Sequence, residues 1–330
     1  MSMPPPARPS LVLACVAAAT LACPTPPPDG GAGEGEGENE GEGDPGPHSC
    51  VPDDDTDFPT PRADVTDAVG SAATFDVATW NIRNFPSSSS TVATVADMIT
   101  SLDLDLLALQ EVASQAAFDE LLARLPHHEG VLSSHTYSDG AYQKLAVVYR
   151  CGALAPGPPA LLFSGDGGAF PRPPLQVPFH YDDGTREFDF TVIVVHLKAG
   201  EDADALDRRG EAFIKLGNYL ASYVASAAAD EVIVLGDFNE RVEDEPGTSN
   251  WRPLLDPTRF VVRTQPLADA GEASFLSSRN SLIDHIVTTR AFDDEVGAGV
   301  AVIPRVEFDV ANYRAIVSDH RPVVLTLLGL

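Results

Sequence analysis

Three apolar runs far apart in this chain are each joined to a compact charged cluster. Gly236-Asp237-Phe238-Asn239 closes the run 232–235, Ile283-Asp284-His285 opens the run 286–289, and Ser318-Asp319-His320-Arg321-Pro322 opens the run 323–327. Runs of this length, rich in Val, Ile and Leu and bounded by turn residues, read as buried strands. A chain built this way must deliver carboxylates, an amide and imidazoles to the edges of its sheets, where a rigid scaffold presents chemistry.

Strand signals recur across residues 73–330, at 75–80, 104–109, 145–149, 188–195, 232–235, 282–288 and 323–328. Helical spacing fills the gaps. Val92, Val95, Ile99 and Leu102 follow the turn 87–90; Phe118, Leu121, Leu122 and Leu125 follow Ser114; Leu206, Phe213, Leu216, Leu220 and Val224 follow Asp202 or Asp204. So many strands exceed one open sheet, and the helices need apolar faces to cover. The pattern predicts an α/β fold of two packed sheets with helices outside.

Beyond the N-terminus no apolar stretch is long enough to span a bilayer, and a 330-residue chain with 44% hydrophobic content can bury a large core. The formal net charge is -28, and eleven acidic residues with no Lys or Arg lie between Asp29 and Asp57. Residues 58–330 still carry about -18. Such a surface repels phosphate at long range, which argues against a polyanion clamp built on bulk basicity. A phosphate-bearing substrate would need local arginines or metal cations.

Residues 1–23 combine Arg8, a short apolar stretch at 11–22 and small residues before a cysteine, the pattern of an export signal. Thr20-Leu21-Ala22-Cys23 resembles a bacterial lipoprotein cleavage box, with Thr where Leu is usual, and makes Cys23 the expected lipidated first residue of a mature cell-envelope lipoprotein. An ordinary secretory peptide is the alternative. Residues 24–72 are rich in Pro, Gly and Glu and read as a disordered, self-repelling linker to a domain at 73–330. With Cys23 acylated, Cys50 and Cys151 remain as a candidate disulfide in an oxidising compartment.

Polar groups also end other strands: Trp80-Asn81-Ile82-Arg83, Gln110-Glu111 and His196-Leu197-Lys198. Taken singly, Glu111 could be a helix-capping charge near Ser114, and a lone histidine at a strand end is more often structural. Together, Asn81, Glu111, Asp237, Asn239 and Asp319 offer only oxygen ligands, which favours Mg2+, Mn2+ or Ca2+ over zinc. His196 and His320 remain as hydrogen-bond donors, and Asp284 is a natural partner for the ring of His320. Carboxylates, a metal and imidazoles fit hydrolysis of a phosphate ester by an activated water.

In order along the chain, residues 75–85, Leu109-Gln110-Glu111-Val112, His196, Gly236-Asp237-Phe238-Asn239, Ile283-Asp284-His285-Ile286 and Ser318-Asp319-His320-Arg321-Pro322 resemble the endonuclease/exonuclease/phosphatase superfamily. The resemblance is closest to its deoxyribonuclease I-like branch and spans residues 74–328. It implies a four-layer α/β/β/α sandwich with two central mixed β-sheets flanked by helices. It further implies that Glu111 binds the catalytic Mg2+ with Asn81 and Asp319 close by, and that Asp237 orients or deprotonates the attacking water. Asn239 would hold a phosphate oxygen, while His196 and His320, the latter oriented by Asp284, would stabilise the pentacovalent phosphorane. Phe170-Pro171-Arg172-Pro173-Pro174 resembles the segment whose arginine contacts a substrate phosphate, and Arg83 follows Asn81 as in the nuclease branch. Lys144 and Arg209 are weaker candidates, since Lys144 starts a strand and Arg208 and Arg209 share a helix with Leu206 and Phe213.

The chain departs from that branch at Gln143, which stands where a carboxylate partners the first catalytic histidine, and at Leu197-Lys198-Ala199-Gly200, nearer to bacterial members of unassigned substrate. The expected function is an exported, metal-dependent nuclease with DNA, or RNA, as its substrate. Membrane contact is expected only through the N-terminal lipid, with no protein partner and a monomeric state. Two alternatives stand beside it. A sphingomyelinase-like or phosphoinositide phosphatase-like enzyme would show an exposed apolar hairpin, whereas the loops 240–256 and 269–279 are polar apart from Trp251, Leu254, Leu255 and Phe275. A non-catalytic surface module is disfavoured because all the expected acids and both histidines are present.

Overall fold

Period-two alternation sorts the side chains of each central strand between two apolar layers. In the computed structural model, which describes residues 64–226, 230–242, 249–293, 297 and 299–327, β1 (Phe75–Phe85) sends Phe75 and Val77 into one layer and Ala78, Trp80 and Ile82 into the other. The predicted signal segment 1–23 with Cys23, and residues 24–63 with Cys50, lie outside the described residues.

The chain continues through α1 (Thr91–Leu102), β2 (Leu106–Val112), α2 (Gln115–Ala123), β3 (His128–Leu132), β4 (Lys144–Arg150), β5 (Leu154–Pro156), β6 (Ala160–Leu161), β7 (Leu175–Asp182), β8 (Glu187–His196) and α3 (Ala203–Ser226). It ends with β9 (Val232–Asp237), β10 (Phe260–Val262), α4 (Gln265–Asp269), β11 (Asp284–Thr289), β12 (Gly299–Val302), α5 (Tyr313–Ile316) and β13 (Val323–Leu327). One sheet has six strands in the order β12-β13-β1-β2-β4-β3; the other has seven, β10-β11-β9-β8-β7-β5 with β6 also on β7. Both are mixed, through the parallel pairs β1–β2 and β8–β9.

Three apolar layers make the sandwich. Phe75, Val77, Leu106, Val192, Val194, Ile233, Leu235 and Ile286 fill the space between the sheets. Val92, Val95, Ile99 and Leu102 of α1 and Phe118 and Leu121 of α2 cover the six-stranded sheet. Phe213, Leu216 and Leu220 of α3 cover the other, with Trp251 and Leu254. The helix starts follow from capping chemistry: Ser114 accepts the Ala117 N–H at 3.2 Å, and Asp202 accepts that of Ala205 at 3.0 Å.

Three features of the structure go beyond the spacing pattern. The buried stripe of α3 runs through Ala205, Arg209, Ala212, Phe213, Leu216 and Leu220, so Leu206 lies off it and is 40% exposed, while Arg209 occupies a core position. The strand β7 lies outside the strand signals above and carries Pro178 in mid-sheet. The proline is tolerated because its nitrogen, which has no hydrogen to donate, faces the break between β5 and β6, where its carbonyl accepts the Gly157 N–H at 2.8 Å. Ahead of residue 73, Val65 and Val69 pack on the α1 layer and Thr66 Oγ1 donates to Asp309 at 2.8 Å. Cys151 is buried and disulfide-bonded. No helix among the described residues is long and apolar enough to cross a membrane.

Candidate active site

The layer between the sheets turns polar at one end. On β8 the inward stripe reads Val192, Val194, His196; on β9 it reads Ile233, Leu235, Asp237; on the antiparallel β11, Ile286 is preceded by Asp284. Strand register sets His196 opposite Asp237 and Asp237 opposite Asp284, so three adjacent strands present imidazole and carboxylates side by side. From the facing sheet, the β1 stripe Phe75, Val77, Thr79, Asn81 ends in an amide whose Nδ2 donates to Asp237 Oδ2 at 3.0 Å and to Glu111 Oε1 at 3.3 Å. The site is thus the polar continuation of a core layer, braced by two rigid sheets.

Its backbone is unusual. Arg83, Asn84, Glu111 and Asn239 all have positive φ, at 38°, 47°, 63° and 50°. Left-handed backbone at non-glycine residues is held only where surrounding structure imposes it. Here it accompanies bulges between Asn81 and Phe85 on β1 and between Leu109 and Val112 on β2, which re-aim Asn81 and Glu111. The turn at Asn239 lets its N–H donate to Asp237 Oδ1 at 2.9 Å, and its side-chain Nδ2 donates to the Leu197 carbonyl at 3.2 Å. Gly236, at φ 149°, is required by contact: a Cβ there would stand 2.0 Å from the Val195 carbonyl oxygen.

His320 arrives on the loop before β13. Its Nδ1 lies 2.8 Å from Asp284 Oδ2, which also accepts the Ser274 hydroxyl at 2.6 Å. Its backbone is pinned as well: Ser318 Oγ accepts the His320 N–H at 3.0 Å and donates to the Asn81 carbonyl at 2.6 Å, and Tyr313 OH and Trp80 Nε1 both donate to the His320 carbonyl. Burial alone would lower the His320 pKa, but the charge and hydrogen bond of Asp284, with Asp237 and Asp319 nearby, raise it to about 9. Burial and then the Asp284 charge also raise the Asp237 carboxyl, up to about 7, which favours its neutral form. His196 is held well below its usual range by burial and by the charges of Arg172 and His320. Its Nε2 faces Asp237 Oδ2 at 3.5 Å and Glu111 Oε1 at 3.9 Å, and its buried Nδ1 has no hydrogen-bond partner.

The basic candidates divide. Arg172 donates to Gln143 Oε1, Gln143 Nε2 donates to Asn84 Oδ1 at 2.6 Å, and the Asn84 N–H donates to Glu111 Oε2 at 3.0 Å. Gln143 therefore partners an arginine, not His196. Arg83 lies 3.7 Å from Asp319 and donates to the Arg314 carbonyl, and the Asp319 charge also acts on His320. Lys144 is buried over the Tyr142 ring, 4.7 Å from its centroid, and burial lowers its pKa. Arg209 is structural: its Nε donates to Glu240 at 2.5 Å and NH1 to the Lys198 and Gly200 carbonyls at 2.8 and 2.7 Å. Ser274 had no signal in the sequence, and Ser318 was visible only as part of its motif.

The donor set suits a hard divalent cation: clustered carboxylates and amides with no thiolate, and a buried Asp284 Oδ1 without a partner. Asp237, Asp284 and His320 offer ligand atoms within 4.8 Å of one another. Because Asp284 and His320 already bond each other, the more open ligand is Glu111, with Asn81 beside it. Asn81 currently turns its N–H groups to the carboxylates and its Oδ1 to the Arg83 N–H at 3.0 Å, so ligation by Asn81 requires rotation of that amide.

Comparison with known proteins places the fold in a family. The model of the Endonuclease/Exonuclease/phosphatase family matches residues 78–320. No curated protein matches the chain. Among solved structures it is similar to the mannosyl-6-phosphatase of Bacteroides thetaiotaomicron, with TM-score 0.56 and 16% identity over 76% of this chain and 98% of that one. It is similar to truncated Caenorhabditis elegans TDP2, with TM-score 0.56 and 13% identity over 77% and 97% of the two chains. The human Nocturnin catalytic domain with bound sulfate gives TM-score 0.54 and 19% identity over 78% and 95%. These likenesses are of fold; the family match takes in the strand-end residues from Asn81 to His320. The chain belongs to the Endonuclease/Exonuclease/phosphatase family and is a hydrolase of phosphate ester bonds.

Proposed function

We propose that the protein is an exported phosphodiesterase that cleaves nucleic acid, DNA first and RNA second, with Mg2+ as its working cation and Mn2+ or Ca2+ as substitutes. One observation carries the reading: Asp237 and the hydrogen-bonded Asp284–His320 pair are buried with ligand atoms within 4.8 Å of one another, the Asp237 carboxyl pushed up to about 7 and the His320 imidazole up to about 9. Near pH 8 that combination supplies a base and a charged acid in one cleft.

Held by Glu111 with Asn81 beside it, the cation would supply Lewis-acid stabilisation of the phosphate oxygens. Asp237 Oδ2 takes the proton of the attacking water. The Asn81 side-chain amide and the Asn239 backbone N–H hold that carboxylate in line, through Oδ2 and Oδ1 respectively. His320, its Nδ1 proton anchored on Asp284, donates from Nε2 to a phosphate oxygen as negative charge develops. His196 stays neutral and adds one hydrogen bond. Arg172 meets a non-bridging oxygen with undiminished charge, because its partner Gln143 is a neutral amide.

Two features support a soluble polyanion over a lipid. Trp251 and Leu254 are fully buried, and Phe275 lies against the His320 ring at 4.8 Å. The described parts of those loops therefore present no apolar hairpin to a bilayer. Export is supported by the N-terminal apolar segment ending at Cys23 and by the disulfide at Cys151.

The test is a substrate panel on the full chain: plasmid DNA, RNA, sphingomyelin, phosphoinositides, a hexose phosphate and an aryl phosphodiester, with each cation and with chelator. Nucleic-acid cleavage that chelation abolishes, and that Asp237→Ala and His320→Ala lose, is expected. Cleavage of lipid or monoester alone would overturn the substrate, and turnover that survives chelation would overturn the mechanism. Membrane association that persists in Cys23→Ser would overturn the lipid anchor.

A further inference from the structure

A cavity of about 750 Å3 opens beside the catalytic floor, between the loop after β8, the loop after β9 and the segment before β11. It shares two residues with the site: Asn239, which touches Asp237, and Phe275, whose ring lies against that of His320. Nothing in the mechanism above uses the rest of it. Its volume is that of a pocket for a nucleoside- or hexose-sized group, far more than a single leaving oxygen needs.

Its lining is chemically divided. Leu206, exposed although most of its helix neighbours on the inner side are buried, and Phe275 offer apolar surface. Arg241 and Arg279 offer charge, and neither has a carboxylate within ion-pair distance among the described residues; Arg241 is instead aimed by a 2.9 Å hydrogen bond to Ser281 Oγ. The third lining arginine, Arg209, is neutralised by Glu240, which leaves Glu201 as the lining carboxylate without such a partner. In a chain of net charge -28, Arg241 and Arg279, without an ion-pair partner among the described residues, set two guanidinium groups beside a phosphate-cleaving centre. Guanidinium groups bind phosphate with fork geometry, and the apolar wall suits a sugar or base face.

We infer that this cavity holds the part of the substrate next to the scissile phosphate, and that this part carries a second phosphate bound by Arg241 and Arg279. The inference rests on the phosphoesterase reading of the neighbouring centre. The second phosphate can belong to a nucleic acid strand or to a small bisphosphate.

Paired substrates separate these cases: the thymidine dinucleotide dTpdT against pdTpdT and dTpdTp, and a hexose monophosphate against its bisphosphate. The added phosphate is expected to raise kcat/KM by about ten- to a hundredfold in the full chain, and the ratio should fall toward one in R241Q/R279Q. A gain confined to dinucleotides assigns the phosphate to a nucleic acid strand; a gain confined to the hexose pair assigns it to a small bisphosphate. A ratio near one for every pair turned over, or a ratio unchanged in the double variant, would overturn the inference. Cleavage of hexose esters without dinucleotides would instead overturn the phosphodiesterase reading, and the hexose pair would still decide the cavity. Should no pair turn over, calorimetric binding of thymidine 3′,5′-bisphosphate against thymidine 5′-monophosphate decides it, with the same ratio expected and the same equality excluding it.

Discussion

Asp284 Oδ2 and His320 Nδ1 form a buried pair at 2.8 Å, and the same carboxylate stands opposite Asp237 across the β9–β11 ladder. One charge therefore raises two pKa values. The acid limb of kcat/KM is expected near 7, from Asp237, and the alkaline limb near 9, from His320. In Asp284→Asn both limbs should move to lower pH, and kcat should fall by about 10²- to 10⁴-fold. An alkaline limb that stays near 9 in the variant would show that another group sets it.

Gln143 separates charge from position. It accepts from Arg172 and donates to Asn84, which in turn donates to Glu111, so an amide is needed at both ends. Gln143→Glu would neutralise Arg172 and lose the donor to Asn84. A rise in KM of about tenfold, with a weaker salt dependence of KM, is expected. Gln143→Met keeps the arginine charged and should retain the salt dependence; equal behaviour of the two variants would rule out the charge argument.

Much of this architecture was legible because central strands are sorted by alternation and helices by their apolar spacing. Val92, Val95, Ile99 and Leu102 fall where that spacing puts them. The strand-end residues were legible for a related reason, since each interrupts an apolar run at the position where the stripe leaves the core. What escaped was decided by partners distant in sequence. Arg209 sits in a core stripe because Glu240 and two carbonyls receive its guanidinium. Ser274 serves Asp284 from a loop with no local pattern, and the left-handed backbone at Arg83, Asn84 and Glu111 comes from paired bulges that no single strand encodes.

Gly236 couples the fold to the site directly. Any Cβ meets the Val195 carbonyl, and the residue that follows is Asp237. Gly236→Ala should destabilise the protein by about 3 kcal/mol and depress activity beyond what the lost folded fraction explains, because the β8–β9 ladder must part where it carries His196 and Asp237. Urea unfolding and kcat per folded molecule test the two effects separately.

A stability effect far from the site has a defined sign. Asp105, ahead of β2, is half-buried, and although it accepts the Asp76 N–H at 2.7 Å and lies 3.7 Å from Arg150, desolvation dominates and raises its pKa from 3.8 to about 7. Between those values the folded chain holds a proton that the unfolded chain has released, so this group makes stability fall as pH rises from about 4 to 7, and the full penalty remains above 7. Asp105→Asn keeps an acceptor for Asp76 and carries no charge. It should be more stable than the parent at pH 8 by of order 2 kcal/mol, half of the roughly 4 kcal/mol that the whole shift implies, with the difference vanishing near pH 4. Urea midpoints at pH 4, 6 and 8 in the presence of chelator measure it; a pH-independent difference would mean that packing, not the proton, governs this position.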